Sequence, residues 1–216
     1  MELEHPKLVK LLRVAYSAEK AAAFAYIGHA RSVSDPQEKA AIEQIEADEW
    51  HHRDVVRELM RKYDIPVSKY YELKFHVIGR LISMSCRVIG WFMPFYFAGR
   101  LESGNVCEYF RMMHFFDELG ISEHHEVLYE LGIKEKEHEQ YFLERLSSHR
   151  LLPVFEKLFA WGNNKRLNDV DLEAKYSLEE SKLYCRSNRS NRSDSKPSDD
   201  QSGSAGPAAA RGLETK

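Results

Sequence analysis

Pairs of glutamate and histidine three residues apart are the clearest chemical signal in this 216-residue chain. The spacing Glu-x-x-His occurs three times, at Glu2/His5, Glu49/His52 and Glu135/His138. On an α-helix, residues i and i+3 lie on one face, about one turn apart, so the carboxylate and imidazole of a pair can reach the same metal ion. Because the chain has ten histidines and 34 acidic residues, the motif alone is weak. The position of each pair on its helix therefore decides whether the pair is a candidate metal site.

The helical register places two of these pairs among apolar residues. Glu49 and His52 share a face with Ile42, Ile45, Val56, Leu59 and Met60. Glu135 and His138 share a face with Leu128, Leu131, Phe142 and Leu146. Apolar positions spaced in this way mark the side of a helix that faces the core. A carboxylate and an imidazole buried there are costly unless they are paired or bound to metal. The neighbouring Asp48/His51 pair shares its face with Gln44 and Glu58, so we expect it to be solvated.

Two further glutamates lie on apolar faces of other helices. Glu19 falls in register with Leu8, Leu12 and Tyr26, and Glu102 falls in register with Phe95, Met112 and Tyr109. In each case the tyrosine follows the glutamate by seven residues. The order of a lone glutamate and then Glu-x-x-His therefore occurs twice, which indicates a degenerate internal repeat.

Together these residues form a ligand set for two divalent cations. Four carboxylates carry a charge of about −4, which two ferrous ions would cancel, and two neutral imidazoles complete the set. Helical bundles that hold two irons or manganese ions take one glutamate from each of two helices and Glu-x-x-His from the other two. The mixed oxygen and nitrogen donors suit iron or manganese. The alternative is a set of buried Glu–His or Glu–Arg networks without metal. The predicted ligands are Glu19, Glu49, His52, Glu102, Glu135 and His138.

The elements that carry these residues all read as helices. Prolines and glycines are sparse, and no stretch alternates as a strand would. We predict helices over about 6–31, 36–62, 68–119 with a break or kink at Pro94, and 122–149, where Ser122 is the N-cap. Shorter helices follow over about 154–161 and 171–184. Asp35-Pro36-Gln37-Glu38 combines an N-cap, a proline at the first helical position and an acidic capping residue.

The composition supports one folded domain with an appended tail. With 43% hydrophobic residues the chain can build a core, whereas residues 185–216 are mostly small and polar and are predicted to be disordered. We therefore expect a helical domain over 1–184 and a tail over 185–216. A net charge of −3 gives no reason to expect nucleic acid as a partner. The N-terminal residues do not read as a cleavable signal peptide, which favours a cytoplasmic protein.

The motifs resemble those of the ferritin-like di-iron carboxylate superfamily. The matching segments, over roughly residues 8–149, are Glu19-x6-Tyr26-x-Gly28, Glu49-x-x-His52, Glu102-x6-Tyr109 and Glu135-x-x-His138. Within that superfamily they look most like the demethoxyubiquinone hydroxylase family. Two positions depart from that family, which usually has histidine where this chain has Glu108 and glutamine where it has His29.

The resemblance implies a ferritin-like four-helix bundle with two iron ions, or alternatively manganese. It implies an O2-activating monooxygenase that hydroxylates an apolar substrate, such as a demethoxyubiquinone-like quinone or a lipid. Electrons would come from an external donor, because the chain has no flavin or nicotinamide motif. Two other functions stay open. One is a rubrerythrin-like peroxidase or ferroxidase, although the chain lacks a Cys-x-x-Cys appendage, and the other is non-catalytic iron handling.

Two secondary features bear on this function. Tyr26 and Tyr109 are candidate catalytic residues that hydrogen-bond ligand carboxylates or relay electrons and protons, and the alternative is ordinary core aromatics. Residues 78–98 include the apolar run VIGWFMPFYFA, which is too short for a transmembrane helix. This segment is either the mouth of a substrate channel or a patch in peripheral contact with the inner face of a membrane, or else it is part of the core and a homodimer interface.

Overall fold

The computed structural model of the chain describes residues 3–159, and this region contains six helices and no strand. The helices are α1 (Pro6–Ala30), α2 (Pro36–Lys62), α3 (Lys69–Ser85), α4 (Phe92–Glu118), α5 (His125–Leu146) and α6 (Leu152–Phe159). The prediction of an all-α protein is confirmed for the described region. The predicted helix over 171–184, the boundary at residue 185 and the tail lie outside it, as does Glu2 of the first Glu-x-x-His pair.

The first two helices begin where their capping residues place them. The Asp35 carboxylate accepts hydrogen bonds from the backbone N–H groups of Gln37 at 2.7 Å and Glu38 at 3.0 Å. Pro36 occupies the first helical position of α2, where its missing N–H costs nothing. His5 caps α1 because its ring nitrogen accepts from Leu8 N at 3.0 Å. His5 is therefore used at a helix end, far along α1 from the other candidate ligands.

Two predicted features of the later helices are wrong. The expected long helix over 68–119 is broken at residues 86–91 and not at Pro94. Gly90, with a φ of +79°, lies in this connection, where the backbone leaves the helical conformation. Pro94 lies in the first turn of α4, where a helix tolerates proline. Ser122 is not the N-cap of α5. The helix begins at His125 after His124, and the Ser122 backbone carbonyl, not its hydroxyl, accepts from His125 N at 3.0 Å.

The core is divided into two apolar clusters, and α1, α2, α4 and α5 contribute to both. The lower cluster includes Leu8, Leu12, Val56, Met60, Val106, Phe116 and Leu128. The upper cluster includes Tyr26, Ile42, Ile45, Phe95, Tyr96, Phe142 and Leu146. Along each of the four helices, the candidate ligands lie between the residues of the two clusters. The polar layer is therefore enclosed above and below by packed apolar side chains.

Helix α3 lies directly on α1, and two glycines make this approach possible. A Cβ atom at Gly28 would overlap the Ser83 backbone oxygen, and one at Gly79 would lie 2.7 Å from Ala21 Cα. Glu72 also ties α3 to its neighbours, because its carboxylate accepts hydrogen bonds from Arg53 at 3.0 and 3.1 Å and from Ser17 at 2.9 Å. None of the helices within residues 3–159 has the length and apolar character needed to cross a bilayer.

Candidate metal centre

The structure brings all six predicted ligands together in the polar layer between the two apolar clusters. Glu19 comes from α1, Glu49 and His52 from α2, Glu102 from α4, and Glu135 and His138 from α5. Each is buried, with no more than 4% of its surface exposed. The residues form two groups, Glu19/Glu49/His52/Glu135 and Glu49/Glu102/Glu135/His138, and the donor atoms of each group lie within 4.8 Å of one another. Glu49 and Glu135 belong to both groups.

Six candidate donor atoms of Glu49, His52, Glu135 and His138 have no hydrogen-bond partners. His52 Nδ1 lies 3.0 Å from Glu135 Oε1, and His138 Nδ1 lies 3.5 Å from Glu49 Oε1 and 3.7 Å from Glu135 Oε2. Both oxygens of Glu49 and of Glu135, and both of these Nδ1 atoms, lack a hydrogen bond. Buried polar atoms are nearly always satisfied in native proteins, so six unsatisfied atoms that converge on one place are a site that could hold a metal ion. A pair of divalent cations would satisfy all six.

The pKa shifts of the four buried glutamates are consistent with a site for cations. Burial and the nearby Glu135 carboxylate raise the pKa of Glu19, and they raise the pKa values of Glu49 and Glu102 well above the usual range. Burial alone would also raise the pKa of Glu135, but the neighbouring imidazoles lower it. The region therefore concentrates negative charge that is poorly solvated. Divalent cations would replace the protons that otherwise neutralise it.

Nearby carboxylates also raise the pKa values of the two candidate histidine ligands. Burial alone would lower the pKa of His138, but the Asp48 and Glu135 carboxylates raise it to about 9. The Glu135 carboxylate likewise raises the pKa of His52 against the effect of burial. Metal binding requires neutral imidazoles, so loading this centre would release protons.

Tyr26 and Tyr109 form crossed hydrogen bonds with the two lone glutamates. The Tyr26 hydroxyl on α1 donates a very short bond to Glu102 Oε1 on α4, and the Tyr109 hydroxyl on α4 donates to Glu19 Oε1 on α1 at 2.5 Å. Burial and the adjacent carboxylates raise both tyrosine pKa values well above the usual value. Both hydroxyls are therefore protonated donors at neutral pH. They fix the position of the two glutamates relative to the helices.

Two residues that contact the ligands were missed or misjudged from the sequence. Asp48, expected to be solvated, has its Oδ2 atom 3.0 Å from His138 Nε2, whereas its partner His51 is exposed as expected. Asn105 donates from Nδ2 to Glu102 Oε2 at 2.8 Å. Asn105 follows Glu102 by three residues, so the helical spacing was a usable signal. The Asp48 contact crosses from α2 to α5, which no local pattern reveals.

A cavity of about 480 Å³ lies between α1, α3 and α4 and reaches the centre. Glu19 and Glu102 are part of its wall, and most of the remaining wall is apolar, with Ala22, Phe75, Ile78, Ile82 and Phe97. Much of the predicted 78–98 segment therefore lines this cavity, while Phe92, Phe95 and Tyr96 from the same run are buried in the upper cluster. The space is large enough for a small organic molecule next to the carboxylates.

The two positions that depart from the hydroxylase family lie at different places. His29 lines the cavity, is buried, and has no hydrogen-bond partner for Nε2. Burial lowers its pKa to about 4, so its ring is neutral at pH 7. Glu108 is half-buried on α4 and belongs to neither candidate ligand group. His29 is thus the departure that bears on a cavity ligand.

Comparisons with protein-family models, with curated proteins and with solved structures returned no match for this chain.

Proposed function

We propose that this protein is a di-iron enzyme that activates O2 and hydroxylates an apolar substrate. In this proposal α1, α2, α4 and α5 form a ferritin-like four-helix bundle, and the six buried residues bind two iron ions, with manganese as the alternative metal. The substrate is a quinone or lipid of the kind used by demethoxyubiquinone hydroxylases, and the electrons come from an external donor.

The observation that carries the proposal is the sharing of Glu49 and Glu135 between the two ligand groups. A single metal ion does not need four carboxylates and two imidazoles, but a pair of ions about 3.5–4 Å apart is held by bridging carboxylates. Each group offers three carboxylates and one imidazole. Together, the four carboxylates of the two groups would neutralise two divalent cations. The mixed oxygen and nitrogen donors suit iron or manganese better than zinc, which favours fewer ligands and thiolates.

The protein's own residues would bind, orient and shield the reactants. Two ferrous ions at this centre would supply electrons and open coordination positions for the reduction of O2. Glu19 and Glu102, held by the crossed tyrosine bonds, lie where the cavity meets the centre. The apolar wall would hold an apolar molecule beside the metals and exclude water from the reaction. The cavity also favours hydroxylation over iron storage, because storage needs no organic binding site.

The first experiment measures metal content and O2 consumption together. Aerobically purified protein should contain about two iron ions per chain, with the Mössbauer signature of a coupled ferric pair. Under a chemical reductant, a panel of quinones and lipids should accelerate O2 consumption, and one should gain an oxygen atom by mass spectrometry. Loading far above two ions per chain would favour storage, and peroxide consumption without substrate hydroxylation would favour a peroxidase. Metal-free protein after reconstitution would refute the proposal.

We further propose that the cavity entrance lies against the inner face of a membrane. One side of α3 exposes Tyr70, Leu73, Val77, Leu81 and Met84, and Val88 follows with 82% of its surface exposed. These positions recur every three or four residues, so they form one apolar face next to the residues that line the cavity. An amphipathic face of this kind suits interfacial binding of an apolar substrate.

Sedimentation with vesicles tests this contact. The protein should sediment with vesicles that contain anionic lipid, and Leu81→Glu together with Val88→Glu should abolish this while metal content is unchanged. Glu43→Lys, on the exposed side of α2, is the control. If the double variant instead converts a dimer to a monomer, the face is the homodimer interface that the sequence allowed.

A further inference from the structure

We propose that the two metal positions are unequal, and that Asp48 and Asn105 make the position of Glu102 and His138 the tighter one. This inference rests on the di-metal centre proposed above and concerns the residues that hold its ligands. Asp48 and Asn105 are positioning residues in this proposal, since each acts on a metal through another side chain.

The six candidate ligands themselves make the Glu19/His52 position and the Glu102/His138 position nearly equivalent. Each position has one lone glutamate and one imidazole that offers Nδ1, and both share Glu49 and Glu135. Each lone glutamate accepts a hydrogen bond from a tyrosine on the opposite helix. A difference in affinity must therefore come from groups outside the six ligands.

Asp48 supports only one of the two histidines. Its Oδ2 atom lies 3.0 Å from His138 Nε2, and Gln44 holds the other carboxylate oxygen at 3.0 Å. With the proton held at Nε2, the Nδ1 lone pair of His138 faces the centre. A carboxylate placed behind a ligating histidine also makes its imidazole a stronger donor.

The matching place in the second half of the chain is occupied by a residue of opposite charge. Asp48 precedes Glu49, and the residue that precedes Glu135 is Lys134, which donates to Glu137. Within residues 3–159, no carboxylate bonds to His52 Nε2. His52 therefore lacks the support that His138 has.

Asn105 introduces a second difference of the same sense. It donates to Glu102 Oε2 at 2.8 Å while Tyr26 donates to Oε1, so both oxygens of Glu102 are fixed. The residue at the same spacing after Glu19 is Ala22, which has no donor. A ligand that is already fixed loses less conformational freedom when it binds a metal. Both differences therefore favour the Glu102/His138 position.

The expected difference in metal affinity between the two positions follows from the usual effect of such contacts on metal binding in other proteins. Loss of a group that hydrogen-bonds a metal ligand typically lowers metal affinity by about 10-fold to 100-fold. Co²⁺ suits mixed nitrogen and oxygen ligands. In an optical titration of metal-free wild-type protein, we expect Co²⁺ to bind in two steps whose Kd values differ by at least about tenfold. In a crystal given one equivalent of Co²⁺, anomalous scattering should be stronger at the Glu102/His138 position.

Four substitutions test the assignment by the same optical titration. Asp48→Ala and Asn105→Ala should each weaken the first step, by about tenfold or more for Asp48→Ala, and leave the second step within about twofold. Asp54→Ala, an exposed aspartate on the same helix, should change neither step. Ala22→Asn supplies the missing donor beside Glu19 and should strengthen the second step, which a merely damaging mutation cannot do.

The outcomes separate this inference from the proposed function. Two equal steps in the wild type, or stronger anomalous scattering at the Glu19/His52 position, would overturn the inference and leave a di-metal centre in place. An absence of Co²⁺ binding would overturn both. If Asp48→Ala fails to fold, the Ala22→Asn titration and the wild-type anomalous map still decide, because neither requires that variant.

Discussion

The substitution Glu49→Gln should stabilise the metal-free protein and destabilise the metal-loaded one. Glu49 is fully buried, neither of its oxygens has a hydrogen bond, and three other carboxylates raise its pKa. Burial and the neighbouring carboxylates force the folded protein to hold a proton on Glu49 at neutral pH, which costs stability. Glutamine keeps the shape without that cost, and its amide can donate to the neighbouring carboxylates. Because Glu49 belongs to both ligand groups, the same change would remove one candidate ligand from each of the two proposed metal positions.

The two effects are large enough to measure. Taking up a proton on folding costs about 1.4 kcal/mol for each pH unit above the pKa of the unfolded chain. Removing that cost should stabilise the chelated protein by at least about 1–2 kcal/mol. In a chain of this size that raises Tm by about 2–8 °C. Metal at about 1,000 times its Kd stabilises the wild type by about 4 kcal/mol per site, and this gain should disappear in the variant.

The assay is thermal unfolding followed by circular dichroism, first with a chelator and then with excess Fe²⁺ under argon. Glu43→Gln is the matched control, since it makes the same chemical change at an exposed position of α2. Chelated Glu49→Gln protein that melts below the wild type, together with an intact rise on adding Fe²⁺, would refute the reasoning on both counts.

Three other changes test separate parts of the structure. In the chelated protein, Tm should fall as pH rises from 6.5 to 8.5. The reason is that the pKa values of Glu49, Glu102 and His138 are raised, so the folded state holds protons that the unfolded state has lost. A Tm that stays constant or rises would contradict this. His52→Ala should lose iron and substrate-dependent O2 consumption but keep its helical circular dichroism, and wild-type iron content would exclude His52 as a ligand. Gly28→Val should lower the free energy of unfolding by about 1–3 kcal/mol, since its side chain would meet the Ser83 backbone, and an unchanged denaturation midpoint would contradict the close approach of α1 and α3.

The sequence predicted much of the centre because the pattern there is local. Burial of Glu19, Glu49, Glu102 and Glu135 follows from their register with apolar residues on the same helix, and each helix could be judged alone. The bounds of α1 and α2 were predictable for the same reason, since Pro6, Asp35 and Pro36 act on their own helix ends.

What could not be predicted depends on how helices meet. Asp48 looked solvated by the pattern of α2, but α5 places His138 beside it. The break between α3 and α4 lies at residues 86–91, which include Gly90 with its positive φ, while Pro94 led to a prediction of the break in the wrong place. The cavity lies between α1, α3 and α4, and the close approach of α3 to α1 at Gly28 and Gly79 is not encoded by any periodic pattern.

The crossed bonds of Tyr26 and Tyr109 couple the two halves of the chain mechanically. Because each hydroxyl reaches the glutamate on the other helix, sliding α1 along α4 by one residue, about 1.5 Å, would stretch both bonds at once. A displacement of α1 relative to α4 would therefore move both lone glutamates away from their present positions together.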